Sequence, residues 1–347
     1  MKGNVIVLDH LGARRAAARL TDGRLEDLAI DPAEDAPPLP GAIFRAVIDR
    51  PVKGQGGAFV KLDGAMGFLR GGSARRPGDR LLVQVSGVAE PGKAVPVTDR
   101  VLYKSRYVIV TPNAPGVNVA RSIREEERRA SLRLLAEDVL DGADTGLILR
   151  SAAAQADEDT LREDISETLA LAMAVQADAE GEGSALLLDA PDAHHLAWRD
   201  WSDPVPDEIV TDPGGFERHG VLDALHALVD PQVSLSGGAS VFIEPTRALV
   251  AVDVNTGRDV SPAAGLKANL AAARALPRQL RLRGLGGQIV VDFAPMPKKD
   301  RKQLEQSLSA AFRADPVETS LVGWTPLGHY ELQRKRDRAS LRRSDLP

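Results

Sequence analysis

The 347-residue chain contains no cysteine, which excludes disulfides and thiolate zinc sites. No apolar run approaches the roughly 18 residues that a membrane-spanning helix needs. The N-terminal stretch Met1–His10 meets Asp9 after a short apolar core, which excludes a secretory signal. A soluble, cytoplasmic protein is expected. Also missing are an internal repeat, a phosphate-cradling glycine motif and any arguable Ser–His–Asp nucleophile set. The remainder is globular in proportion, with 43% hydrophobic and 27% charged residues, and the length suffices for two or three modules.

Charge is unevenly placed. The net value of −5 argues weakly against a nucleic-acid binder, yet residues 151–215 hold sixteen Asp/Glu against two Lys/Arg, so the rest of the chain is net basic. Such asymmetry lets one surface repel polyanions while another attracts them. A plain solvated face over 151–215 explains the acidic run equally well.

Periodicity and turn residues divide the chain. Residues 3–30 predict a hairpin, with Asn4–Asp9 and Ala16–Leu20 as strands and Thr21-Asp22-Gly23 as a turn, and Asp31–Pro40 reads as a linker. Five short strands follow at Ala42–Asp49, Gly57–Leu62, Met66–Arg70, Asp79–Val88 and Ala94–Val101, a spacing that suits an OB-type barrel. Alternation in Ala58–Leu62 sets Ala58, Val60 and Leu62 on one face and Phe59 and Lys61 on the other. A solvent-facing Phe beside Lys is how a barrel stacks a base and holds its phosphate. Phe59 capping a hydrophobic corner is the competing reading. Phe68 and Arg70 repeat the pairing less clearly.

Beyond the barrel, a strand at 107–112 leads through a loop to Asn118. Helices are predicted at Ile123–Leu140 and Leu161–Ala177, around a buried strand Gly146–Leu149 that ends at Arg150-Ser151. A strand Ala185–Leu188 and a Pro/Asp-rich connection precede a helix at Val221–Val229. Adjacent His194 and His195 read as a solvated pair, with metal ligation the alternative. The tail Arg334–Arg343 is basic.

The chemistry concentrates near the C-terminus. Strands Gly238–Glu244 and Arg247–Val254 form a hairpin, a helix Ala264–Arg283 with Pro277 inside it, expected to kink there, ends at Gly284, and strand Gln288–Phe293 and a helix Lys299–Arg313 follow. Asp253 and Asp292 close two otherwise apolar strands and read as buried. A buried carboxylate needs a partner or a cation. Asn255 shares a face with Asp253. A strand–helix–strand unit of this length favours parallel neighbours, with both aspartates at the C-terminal strand ends where open α/β sheets bind ligands. Two carboxylates and an amide oxygen suit Mg²⁺, and Arg258, Arg278, Arg281, Lys298 and Lys299 would give a phosphate positive surroundings. A structural salt-bridge role for the aspartates remains open at this level.

The segments Ala251-Val-Asp-Val-Asn-Thr-Gly257, Asn269-Leu-Ala-Ala-Ala, Arg278-Gln-Leu-Arg-Leu-Arg-Gly-Leu-Gly-Gly287 and Ile289-Val-Val-Asp-Phe293 closely resemble the ribonuclease E/G family, in order and spacing. Weaker similarity covers most of the chain. Gly57-Ala-Phe-Val and Gly67-Phe-Leu resemble the family's S1-like barrel. Thr111-Pro-Asn-Ala-Pro, Arg121-Ser-Ile and Leu147-Ile-Leu-Arg-Ser-Ala resemble its 5′-end sensor.

The resemblance implies an α/β, multi-domain fold: an RNase H-like scaffold (1–38 and 183–232) interrupted by an S1-like OB barrel (39–105) and a 5′-sensor-like region (106–182), then a DNase I-like catalytic subdomain (233–347). It implies a Mg²⁺-dependent endoribonuclease, with Mn²⁺ an alternative ion, cleaving single-stranded RNA to leave a 5′-phosphate and a 3′-hydroxyl. Asp253 and Asp292 match the metal-binding aspartates, and Asn255 the adjacent catalytic asparagine. Arg150 and Ser151 match an Arg-Thr pair that reads a 5′-monophosphate, and Phe59, Phe68 and Lys93 match RNA contacts of the barrel.

Departures from the family pattern shape the expectations. Without the Cys-Pro-x-Cys link, no zinc is expected and any oligomer is not zinc-linked. The family's following small domain and disordered tail are not expected in this chain. The arginine expected before the Trp324 segment falls at Asp315-Pro-Val-Glu-Thr, where there is none. An RNA-binding relative that has lost cleavage, and a DNA nuclease, are the competing functions.

Overall fold

The computed structural model describes residues 3–52, 54, 56–112 and 114–347. Met1 and Lys2 of the N-terminal segment and Asn113 of the Thr111–Pro115 motif lie outside the described residues. The fold is mixed α/β and divides into two compact units. One comprises the chain up to Gly23 plus Ala29–Asp212, the other Arg24–Leu28 plus Pro213–Pro347.

In the first unit the predicted N-terminal hairpin starts with an earlier turn. Strands Asn4–Leu11 and Arg14–Thr21 pair antiparallel around Gly12, and Asp22 then takes a positive φ of 50° to start Arg24–Ile30. Ala16, Ala17 and Ala18 are all buried, and Ala17 packs with Ile6, Ala197 and Trp201. The connection read as irregular after Leu188 therefore contains structure. Helix Ala193–Asp200 supplies Ala197, and Glu208–Val210 adds a parallel strand beside Val5–Val7. Its short, mixed segments carry too little periodicity to show in sequence. The two histidines also separate. His194 is half-buried, its Nε2 2.9 Å from the carbonyl oxygen of Asp9, while His195 stays exposed against Asp192.

The expected five-stranded barrel forms and closes. Ile43–Val52, Gly57–Lys61, Met66–Arg70, Val95–Thr98 and Arg80–Val85 pair in that order, and the last pairs back onto the first. Ala58, Val60 and Leu62 fill it and Lys61 faces solvent, as alternation requires. Ala185–Leu188 adds to the edge of Ile43–Val52.

A third sheet orders Gly116–Val119, Thr145–Leu149, Val108–Pro112 and Tyr103–Lys104. The segment expected to be a loop before Asn118 is thus partly a strand, parallel to Thr145–Leu149. Helices Glu126–Leu140 and Glu158–Asp178 bury Leu132, Leu135, Leu161 and Ile165 against it. Asp157 caps the second helix by accepting from the Thr160 amide at 2.8 Å. Arg45 donates to the Asp178, Glu182 and Gly183 carbonyls beyond its other end.

The second unit has a six-stranded sheet in the order Gln232–Ser234, Ser240–Pro245, Val250–Asn255, Gly287–Asp292, Tyr330–Arg334 and Thr319–Trp324. Its one parallel pair, Val250–Asn255 with Gly287–Asp292, is joined by helix Ala264–Leu282, which runs unbroken through Pro277. Gly284, at φ 62°, ends the helix where a Cβ would strike the Ala339 carbonyl. That helix and Arg301–Ala314 pack Ala272, Leu276, Leu280, Leu304 and Leu308 onto Val241, Val252, Ile289, Val291 and Leu332.

The last two strands, which pair as the hairpin Thr319–Arg334, went unread in the sequence because each is short and interrupted by polar residues. Part of the basic tail is buried. Arg334 is 1% exposed, shares the buried Asp315 carboxylate with Arg281, and donates to Thr319 Oγ1 at 2.8 Å. Arg338 and Arg281 both face Asp27, Arg338 at 2.6 Å.

Removing one partner from a buried charged set leaves an uncompensated ion and costs about 3–5 kcal/mol. Asp315→Asn is expected to lower unfolding stability by that order in urea titration, and a loss under 1 kcal/mol would show that the arginines find other partners. A second expectation concerns pH. Burial pushes the Asp192 carboxyl up, but the His195 amide and ring and Arg15 outweigh it and hold it at about 2, below the usual 3.8. Its folded pKa is depressed, so its contribution is present above the unfolded value and lost as pH falls through about 2. Amide-exchange protection of Ala193–Asp200 is expected to decline between pH 4 and 2, and to be weakened already at pH 6 in Asp192→Ala.

Candidate functional site

Register brings the two sequence-predicted aspartates together. The parallel pair aligns Val250 with Ile289, Val252 with Val291 and Asp253 with Asp292. Neighbouring strands lie about 4.8 Å apart, so the carboxylates stand side by side at the C-terminal strand ends. Val252, Val254 and Val291 point into the core, which sends Asp253, Asn255 and Asp292 to the other face.

That face is open, and here the expectation of buried carboxylates is corrected. Asp253 and Asn255 are exposed, and the Asp292 side chain is 65% exposed. Both helices cover the opposite face, so alternation alone delivers the acids to water. Asn255 Nδ2 donates to Asp253 Oδ2 at 2.8 Å, which holds that carboxylate and leaves the Asn255 carbonyl oxygen as a further acceptor.

The exit of the Asp292 strand is pinned from behind. Buried Asn269 donates to the Ala294 carbonyl and accepts from the Ala294 amide, each at 2.9 Å. A Cβ on Gly265 would collide with the Pro295 carbonyl, so helix and loop meet closely there.

Of the five cations expected around the pair, two are elsewhere. Arg278 donates to the Leu25 carbonyl at 2.7 Å, and Arg281 is buried against Asp315, Glu26 and Asp27. Arg258, Lys298 and Lys299 are exposed. His329, unremarkable in sequence, lies with Nε2 4.0 Å from Asp292 Oδ1, because the unforeseen hairpin pairs Tyr330 with Val291. Among the described residues no three His, Asp or Glu side chains converge as a metal cage. The donor set is two carboxylates and an amide oxygen. That fits Mg²⁺, which keeps several waters and takes one or two carboxylates.

The first unit holds the other predicted residues. Phe59 and Phe68 pair across adjacent barrel strands, their rings T-shaped at 5.5 Å. Gly57 makes room, since a Cβ there would meet Phe68 Cζ at 2.5 Å. A groove of about 720 Å³ runs beside them, lined by Phe59, Lys93, Arg50, Met66, Asp35 and Asp63 among others. Lys93 lies 2.9 Å from Glu90. Arg50, which sequence reading missed, sits 5.1 Å over the Phe59 ring. It follows a register shift between Ile48 and Arg50 that alternation cannot reveal.

Arg150 is already engaged. It donates to Asp200 at 2.7 Å and to the Ser105 and Arg199 carbonyls. Burial pushes the Asp200 carboxyl up, while hydrogen bonds and charge from Arg199 and Arg150 hold it below the usual value. Ser151 opens the short 3₁₀ turn that follows. Nearby Asp164 is pushed up by burial despite hydrogen bonds from Ser105 and the Tyr107 amide.

With the geometry described, comparison with known sequences decides the family. The Ribonuclease E/G family profile matches residues 103–215 and 211–337. The chain belongs to the Ribonuclease E/G family. Ribonuclease E of Synechocystis sp. is 31% identical over 303 residues, which cover 76% of this chain and 45% of that protein. Ribonuclease G of Escherichia coli K12 is 30% identical over 301 residues, 77% of this chain and 61% of the relative. Ribonuclease G of Haemophilus influenzae is 29% identical over 303 residues, again 77% and 61%. The chain thus spans about half of the length of these Ribonuclease E/G relatives. The family match takes in both the carboxylate pair and the Arg150 region.

Like charges directly opposite in a sheet repel, at about 0.2–1 kcal/mol per pair. In buffer free of divalent cations, Asp292→Asn is therefore expected to raise the unfolding midpoint slightly, with the gain shrinking at high salt. An unchanged or lower midpoint at low salt would mean that the pair does not repel.

Proposed function

We propose that this protein is an endoribonuclease that hydrolyses single-stranded RNA with Mg²⁺, leaving a 5′-phosphate and a 3′-hydroxyl. The observation that carries the reading is the in-register Asp253–Asp292 pair, braced by Asn255, on the open face of a Ribonuclease E/G family member. Asp253 and Asp292 would hold the ion, which when bound orients water and neutralises charge on the phosphate; Mn²⁺ would serve the same ligands. Asn255 fixes the Asp253 carboxylate and presents its carbonyl oxygen beside it. Arg258, Lys298 and Lys299 are exposed cations for the RNA backbone.

The family architecture, an RNase H-like scaffold with inserted barrel and sensor and a DNase I-like catalytic subdomain, belongs to the same proposal. In the barrel groove Phe59 stacks a base and Lys93 and Arg50 meet phosphates, while Phe68, packed edge-on against Phe59, stacks a neighbouring base. At Arg150 and Ser151 a 5′-monophosphate would compete with Asp200 for the guanidinium. Asp200 would keep Arg199, 2.8 Å away, so the exchange leaves no carboxylate stranded.

The barrel groove also favours a second reading, an RNA-binding relative that does not cut. One experiment separates the two. An A/U-rich single-stranded RNA is offered with a 5′-monophosphate, a 5′-hydroxyl or a 5′-triphosphate, with and without Mg²⁺. Cleavage is expected with Mg²⁺ only, fastest for the monophosphate, and reduced at least 100-fold by Asp253→Asn. Binding without cleavage, or equal cleavage by Asp253→Asn, supports the second reading instead.

A further inference from the structure

The register that joins the two aspartates continues one strand further. Phe242 pairs directly with Asp253, so Phe242, Asp253 and Asp292 form one row across three strands. Val241 and Ile243 are buried in the core, which puts Phe242 on the open face with the carboxylates, where it is half-buried. Its neighbours on that face are small or polar: Ser240 and Glu244 on its own strand, Gln232 directly opposite on the outer strand, and Ala251 and Asn255 diagonally across. Among the described residues its ring enters no aromatic or cation–π contact, unlike Phe59, Phe68 and Phe293.

Its direct cross-strand partners are Gln232 and Asp253, and neither offers the ring a face to stack on. A ring face is electron-rich, so a carboxylate is a poor cross-strand partner for it. A nucleobase is a good one, since every base has a face to stack. We propose that Phe242 stacks the base of the nucleotide adjoining the scissile phosphate and so sets that phosphate against Asp253 and Asp292. One strand spacing of about 4.8 Å separates Phe242 from Asp253, which lets base and phosphate of neighbouring positions be held together. The inference rests on the reading of this sheet edge as an RNA-cleaving site.

Loss of one base stack predicts a fall of roughly 5- to 150-fold in kcat/KM for Phe242→Ala. Phe242→Tyr should stay within a few-fold of the unmutated chain. Phe242→Leu keeps apolar bulk without a ring and should behave like Ala. A readout independent of cleavage uses single-stranded RNA carrying 5-iodouridine, irradiated with the unmutated full chain without divalent cations. A crosslink mapped to Phe242 is expected. Phe242→Leu cleaving as well as the unmutated chain, or crosslinks that miss Phe242, overturns the inference. A chain that crosslinks at Phe242 yet never cuts RNA with Mg²⁺ leaves the stack standing and sinks the endoribonuclease reading.

Discussion

Asp315 joins two buried arginines in the interior of the second unit. One carboxylate, 1% exposed, meets the guanidinium groups of Arg334 and Arg281, and neither arginine has water to fall back on. Arg334 closes the strand that pairs, residue for residue, with the strand bearing Asp292. Arg281 also reaches Glu26 and Asp27, which fixes Arg24–Leu28 to the end of the crossover helix. Such a buried set adds little net stability over an apolar one. Its directional bonds hold the outer hairpin against the strand that bears Asp292, while the parallel pairing with Val250–Asn255 aligns Asp292 with Asp253.

The carboxylates gain from being exposed. Burial would raise the cost of two adjacent charges, and an aqueous cation would have to shed more of its shell to reach them. A sheet covered by helices on one face only keeps both acids in water. Core alternation still fixes their direction, because Val252, Val254 and Val291 have no other place to go. Rigidity comes from the far side, through Asn269 on the Ala294 backbone. The carboxylates thus face water from a frame held on its far side.

Much of this was legible in the residues. Apolar strands with a period-two pattern, a helix of crossover length and Gly/Pro turns were enough for the barrel, the crossover and the aspartates' shared edge, because each signal is local. What was illegible depends on distant partners. Arg278, Arg281 and Arg334 look like any exposed cations until the Asp315 loop and Arg24–Leu28 return to meet them. The burial of the aspartates was misjudged for a related reason: an apolar strand does not say whether one face or both are covered. His329 and Arg50 became visible only through a hairpin pairing and a bulge. Around Asp315, where the segment itself has no base, Arg281 and Arg334 converge from elsewhere in the chain.

The barrel groove and the carboxylate pair divide the work between different forces. Asp35 and Asp63 line the groove with Arg50 and Lys93, so charge alone cannot bring a polyanion into it. Stacking on Phe59, which carries no charge, is what remains attractive when salt screens the cations. The carboxylate pair is the reverse case. Two adjacent carboxylates repel a phosphate backbone unless a cation lies between them. On the proposed reading, preference for a cation-loaded site would then follow from the bare charges alone.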